Sequence, residues 1–275
     1  MRKPVTLLLA AVAALGLTVG TAGAADASSF SPVVHVRVDS SGHIRLPHHL
    51  PAGLLRLDVD GAAGQNIQIV QPRHHASVST LVHDAALIGA QNPDPVPLEH
   101  HFTAIGGTGT GTDLLVRLDP GTYYLADTAI QSTTSDLVTV VHVGGGWTKT
   151  STPRVTGTIT AVGDMDWAKW PRTIGHEGTL KFVNASSDWH FVELLQLKPG
   201  VTYAQLKDVV ENGGDPSTIS SPTAADYSTG VISPHHTQLS TYDLPKGHYA
   251  LMCWWPDENG MPHAVMGMFR LIDLR

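Results

Sequence analysis

The chain has almost no cysteine. Cys253 is the one thiol among 275 residues, so no disulfide can form within the chain, and this side chain is either an inert core group or a ligand. Basic residues are scarce and scattered. With 17 Lys+Arg against 24 Asp+Glu and no Lys/Arg cluster, nucleic acid and anionic membrane surfaces are excluded as partners. No long apolar run occurs beyond Val19, so no membrane span is expected in the mature protein. Several enzyme signatures are missing too. There is no G-x-S-x-G elbow. The "HEGTL" at His176 lacks the second His of a zinc-protease helix. The "GGTGTGT" of residues 106–112 lacks the Lys of a phosphate loop and reads as a Gly-rich hairpin.

The one long apolar run is N-terminal. Arg2 and Lys3 precede Val5 to Val19, and Ala22-Gly23-Ala24 offers a small-residue cleavage site. This predicts a signal peptide over residues 1–24 and a secreted protein, extracellular or on the exterior of the cell envelope. No cysteine follows the cleavage site, which excludes lipid attachment there. Cleavage removes Arg2 and Lys3, lowering the 17 basic residues to 15 against 24 acidic ones, a charge of −9.

What the sequence does contain is itself, twice. "GLLRLDVDGAAGQNIQIVQ" from Gly53 aligns without gaps to "GTLKFVNASSDWHFVELLQ" from Gly178, an offset of 125 residues. "LDPGTYYLAD" (Leu118 to Asp127) aligns to "LPKGHYALMC" (Leu244 to Cys253) at an offset of 126. A near-constant register over this length indicates a duplicated domain. The boundaries predicted are 30–143 and 154–275, joined by a linker, "GGGWTKTSTP", over 144–153.

Each copy reads as all-β. Val34, Val36 and Val38 alternate with His35 and Arg37, and Leu55, Leu57 and Val59 with Arg56 and Asp58, the period of half-buried strands. Turn signals at Ser40-Ser41-Gly42, Pro120-Gly121 and Lys246-Gly247 break them up, as in a sandwich or small barrel. One helix interrupts each copy. Thr202 to Gln205 has the form of a capping box, Leu206 and Val210 share a face with Tyr203, and Gly213 can end the helix. Ser77 to Leu87 is the weaker counterpart.

Cys253, His263 and Met268 are spaced C-x9-H-x4-M. A blue-copper site takes two imidazoles, one thiolate and a weak axial thioether, and His190 in "FVNASSDWHFVEL" can supply the second imidazole. These residues resemble the cupredoxin family. There, an early strand ends in Asn (here Asn184), a His follows several residues later, and a turn such as "LPKGHY" introduces the strand before a loop carrying Cys, His and Met. The resemblance covers Thr156 to Arg275, with a degenerate version over Phe30 to Val143. It implies two tandem Greek-key β-sandwiches, one type 1 copper held by His190, Cys253, His263 and Met268, and an unknown redox partner. In the first copy Gln65 stands at the place of His190 and Asp127 at that of Cys253, so that copy is expected to bind no copper and its removal to leave the site intact.

The Cys-to-His loop is long, as at the copper site of nitrite reductases, whose end also reads H-x-x-x-G-M. Three features depart from the pattern. Trp254 and Trp255 follow the cysteine directly and, with Trp189, are expected to form an apolar shell. Met266 competes with Met268 as thioether. Met252 stands where a His would link blue copper to a second copper centre, so a built-in catalytic copper, and with it an enzyme, is not expected. The implied task is one-electron transfer. The alternatives are extracellular copper capture or delivery, with a copper donor or acceptor protein as partner, and a metal-free interaction module. The pairs His48-His49, His74-His75, His100-His101 and His235-His236 read as solvated loops, with weak surface metal sites as the alternative, since neighbours on a strand face opposite ways and chelate poorly. His142, in an apolar strand pattern, reads as structural.

Overall fold

The computed structural model describes residues 33–128, 134–148, 152–163, 165–168 and 171–275; the segment read as a signal peptide lies outside them. The chain forms two tandem cupredoxin-like Greek-key β-sandwiches. The first is built on Val33–Val38, His49–Gly61, Asn66–Pro72, Phe102–Gly109, Thr112–Leu118, Gly121–Asp127 and Thr139–Thr148. The second is built on Gly157–Val162, Glu177–Asn184, Glu193–Gln196, Asp226–Ser228, Thr237–Asp243, Gly247–Met252 and Phe269–Leu274. Period-two patterning has its physical consequence: Val34, Val36 and Val38 are buried while Val33, His35 and Arg37 face solvent.

Strand pairings in the two halves correspond. Val34 lies opposite Leu57 in a parallel pair, and Ile159 opposite Phe182 in another. Gln68 lies opposite Ala126, and Glu193 opposite Met252. The Tyr123 hydroxyl donates to the Asp119 carbonyl at 2.9 Å and the Tyr249 hydroxyl to the Pro245 carbonyl at 2.7 Å. The helices also match. Helix α1 spans Val78–Ile88 behind a Ser77 capping box. A short helix α2, Val96–His101, follows it. Helix α3, Tyr203–Asn212, has a Thr202–Gln205 capping box and ends at Gly213 in the left-handed region.

Other features differ from the sequence expectation. Helix α2 is one. The Gly-rich segment 106–112 is no hairpin: Phe102–Gly109 pairs with Asn66–Pro72, and Thr112–Leu118 with His49–Gly61. The strand Thr139–Thr148 runs into the segment read as a linker, with Gly53 opposite Thr148. His142 is exposed on that strand.

The halves are also not separable units. Leu239 pairs with Leu115 and Ser240 with Leu114, so one sheet runs through both. Val231 N–H donates to Gln68 Oε1 at 2.8 Å and Ala104 N–H to Ser233 Oγ at 2.8 Å. One apolar core belongs to the first half, around Val36, Leu55 and Ile67. A second is shared: Leu81, Leu98 and Phe102 pack in the same cluster as Trp189, Cys253, Trp255 and Met268. Removing the first half would therefore strip cover from the site region, contrary to the expectation of an independent site.

Candidate metal centre

The site is assembled from three chain segments. Asn184 ends its strand fully buried. Its amide donates to the Asp188 carbonyl at 2.7 Å and the Ile232 carbonyl at 3.0 Å, and its Oδ1 accepts from the Ser186 N–H and hydroxyl at 3.1 and 2.7 Å. These bonds fold Ala185 to Trp189 into a compact loop and deliver His190, which pairs with Ile232. Cys253 directly follows the strand Gly247–Met252. Its N–H donates to the Met268 carbonyl at 3.3 Å, and its carbonyl accepts from Ala264 at 2.6 Å. His263 enters from the intervening loop. Its N–H donates to the Trp255 carbonyl at 2.9 Å, and its carbonyl accepts from Met268 at 3.0 Å.

Three donor atoms converge. His190 Nδ1 and His263 Nδ1 are 3.0 Å apart, and Cys253 Sγ is 3.6 Å from the first and 3.7 Å from the second. The point equidistant from all three is about 2 Å from each, the length of a metal–imidazole bond. Cys253, His190 and His263 are 0%, 0% and 1% exposed. Trp189 and Trp255 stack beside them, with ring centroids 5.5 Å apart. His190 Nε2 is buried without a hydrogen-bond partner, so the ring's directed interaction is made at Nδ1, inside the cluster.

Electrostatics favour the same use. Burial, with the neighbouring His263 adding to it, pushes His190 down to about 3. Burial pushes His263 down to about 4 against the pull of Asp188 and Asp257. Both rings are therefore neutral donors at ordinary pH. Burial pushes the Cys253 thiol up to about 12, and a bound cation reverses that by stabilising the thiolate. Two neutral imidazoles and one thiol at these separations fit a type 1 copper ion. Of the two methionines, Met268 is fully buried in the shared core and Met266 is 44% exposed.

The residues standing in the corresponding places of the first half are otherwise engaged. Gln65 Oε1 accepts from the Ala62 N–H at 2.8 Å and its amide donates to the Asp39 carbonyl. Asp127 accepts from the Asn66 N–H at 3.1 Å. Among the described residues the other group with ligand-like spacing is the half-buried His176 with exposed Glu177 and Asp243.

Two acidic residues beside the site escaped the sequence reading. Burial, reinforced by Asp226, pushes the half-buried Glu193 up to about 8, and a hydrogen bond from Trp254 opposes it. Its place between apolar Val192 and Leu194 is the signal that could have found it. Glu99 of α2 accepts from the Trp255 indole N–H at 2.7 Å. No local pattern announces that contact across 156 residues.

No protein-family model matches the chain, and no curated protein sequence does. The chain is similar to several solved structures. An auracyanin from Roseiflexus castenholzii is 20% identical, with 44% of this chain and 99% of that one covered and a TM-score of 0.29. Auracyanin A, a "blue" copper protein from Chloroflexus aurantiacus, is 16% identical over 44% of this chain and 98% of its own, with a TM-score of 0.28. A copper-containing nitrite reductase from Thermus scotoductus is 10% identical over 88% of this chain and 61% of its own, with a TM-score of 0.24. The donor set of the C-terminal half, His190, Cys253 and His263, is of type 1 kind on its own geometry. The expectation that the chain is no enzyme is corrected: the solved structures it is similar to include that nitrite reductase and a metallo-oxidase from Campylobacter jejuni. Met252 beside Cys253 removes one link to a second copper and does not set catalysis aside.

Proposed function

We propose that this is an exported copper protein, built by internal duplication, that performs one-electron transfer through His190, Cys253, His263 and Met268. The observation that carries the reading is the convergence of two imidazole Nδ1 atoms and one thiol sulfur within 3.0–3.7 Å of one another, all buried. Bound copper supplies a Cu(II)/Cu(I) couple. The chain's own residues set its terms. The thiolate favours the reduced ion and the imidazoles tolerate the oxidised one. Asn184 and the Trp255 carbonyl hold the ligand loops in place, so little rearrangement accompanies a change of charge. Trp189 and Trp255 keep water out.

Copper delivery is less well supported, because a carrier that passes its ion on needs donors within reach of a partner, and these three are 0–1% exposed. The test is to add Cu(II) to the purified protein and record a visible spectrum. An intense thiolate-to-copper band, bleached by reductant, restored by oxidant and absent in Cys253→Ser, is the expected result. Wild-type protein that takes up no copper returns the metal-free interaction module to first place.

A further inference from the structure

The copper centre includes a contribution from the half of the chain that holds none of its ligands. Trp255 touches all three ligand segments: it is two residues from Cys253, its carbonyl accepts from the His263 N–H at 2.9 Å, and its ring stacks on Trp189, the neighbour of His190. Its one polar side-chain atom, Nε1, donates to Glu99 Oε1 at 2.7 Å. Helix α2 presents Glu99 there, with Leu98 packed into the core shared with Trp255 and Cys253. The segment before α2 supports the same loop: Gly260, at φ 77°, has no room for a Cβ, which would lie 2.6 Å from the Pro93 carbonyl oxygen. A carboxylate accepting from an indole N–H in a half-buried setting makes a strong, directional bond. It also places a carboxylate beside the ligand loop, within electrostatic reach of Asp188, which itself acts on His263.

We propose that Glu99 is a positioning residue of the copper centre: through Trp255 it locks the Cys253–His263 loop against the N-terminal domain, and its charge favours the oxidised ion. The first domain is then a working part of the centre. This rests on the copper reading above, and the test is arranged so that the two can fail separately.

The metal-free arm measures how fast Cys253 reacts with a water-soluble aromatic disulfide. Glu99→Ala orphans the indole N–H and frees the loop, so the thiol should react on the order of tenfold faster. Glu99→Gln keeps an acceptor oxygen and should stay near the wild-type rate. The copper arm measures reduction potential and the Cu(II) spectrum. Glu99→Gln should raise the potential with little change in the band. Glu99→Ala should raise the potential and also shift the band. A thiol rate unmoved in Glu99→Ala, or a potential unmoved in Glu99→Gln, overturns the proposal and leaves Glu99 as an interdomain contact, even if both variants unfold more easily. If wild-type protein takes up no copper, the copper reading and the charge effect fall, and the thiol rates still decide whether Glu99 locks the loop.

Discussion

Gly107 and Gly230 meet backbone to backbone, the Gly230 N–H donating to the Gly107 carbonyl at 2.6 Å. A methyl on Gly230 would run into the N and Cα of Gly107, and one on Gly107 into the carbonyl of Ile67. Main chain cannot yield as a side chain can. Gly230→Ala should therefore cost about 2–3 kcal/mol by overpacking, read as a lower midpoint in equilibrium denaturation. Gly144, with open space around it, is the control, and its Ala variant should stay within about 0.5 kcal/mol of wild type. Equal stability of the Gly230 and Gly144 variants would contradict the close approach of the two halves.

That contact shows where sequence reading ran out. Strand periodicity and capping boxes are local, so the β class, α1 and α3 were legible in Val34 to Val38, Ser77 and Thr202. The convergence of His190, Cys253 and His263 was legible through a family pattern. The Gly-rich run 106–112 carried turn chemistry, but its glycines serve a neighbour over a hundred residues away. Helix α2 is too short for periodicity to declare itself, and its His pair passed for loop. His101 Nδ1 in fact sits 2.7 Å from Asp84, which is 1% exposed. The tryptophans divide by alternation: Trp255 joins Trp189 in the core around the site, while Trp254 packs in a separate cluster with Met252 and Phe269.

Asn184 makes four hydrogen bonds with one side chain. Asn184→Ala removes these four bonds and leaves the Ser186 N–H without its acceptor, while the Asp188 and Ile232 carbonyls keep the Ser186 hydroxyl and the His190 N–H, at a cost on the order of 2 kcal/mol. Because those bonds set the loop before His190, copper uptake should weaken along with stability. Calorimetry of the metal-free variant and copper titration followed at the visible band check both. A destabilised variant with wild-type copper affinity would show that the loop does not need this anchor to place His190.

The buried imidazoles make metal-free stability depend on pH. His263 is held from 6.5 down to about 4, chiefly by burial. In that window the unfolded chain takes up a proton that the folded one refuses, so stability falls as pH falls from about 6.5 through about 4. The contribution is on the order of 3 kcal/mol. Glu193, pushed up to about 8, acts with the opposite sign, favouring the folded state at lower pH, so the test needs a difference. Wild-type stability minus that of His263→Gln should shrink as pH drops from 7 to about 4, with Glu193 common to both proteins. A difference flat across that range would mean that the His263 ring is protonated as easily folded as unfolded.

Met268, and not Met266, is the expected axial thioether. Period-two spacing would put Met266 and Met268 on one face, but the final strand begins only at Phe269, and Gly267 at φ 108° turns the chain between the two methionines. They part accordingly: Met268 is fully buried beside Cys253, and Met266 is 44% exposed. The backbone of Met268 is tied to two ligands, donating to the His263 carbonyl at 3.0 Å and accepting from the Cys253 N–H at 3.3 Å. An axial thioether bond is long and weak, so its loss retunes the centre without emptying it. Met268→Leu should keep copper and colour while raising the reduction potential, because removing a donor disfavours Cu(II). Leucine is close in volume, so stability should fall by less than about 1.5 kcal/mol. Met266→Leu, changed at the surface, should leave the potential where it was. Redox titration of both variants at the visible band checks this, and a large shift in Met266→Leu with none in Met268→Leu would reverse the assignment.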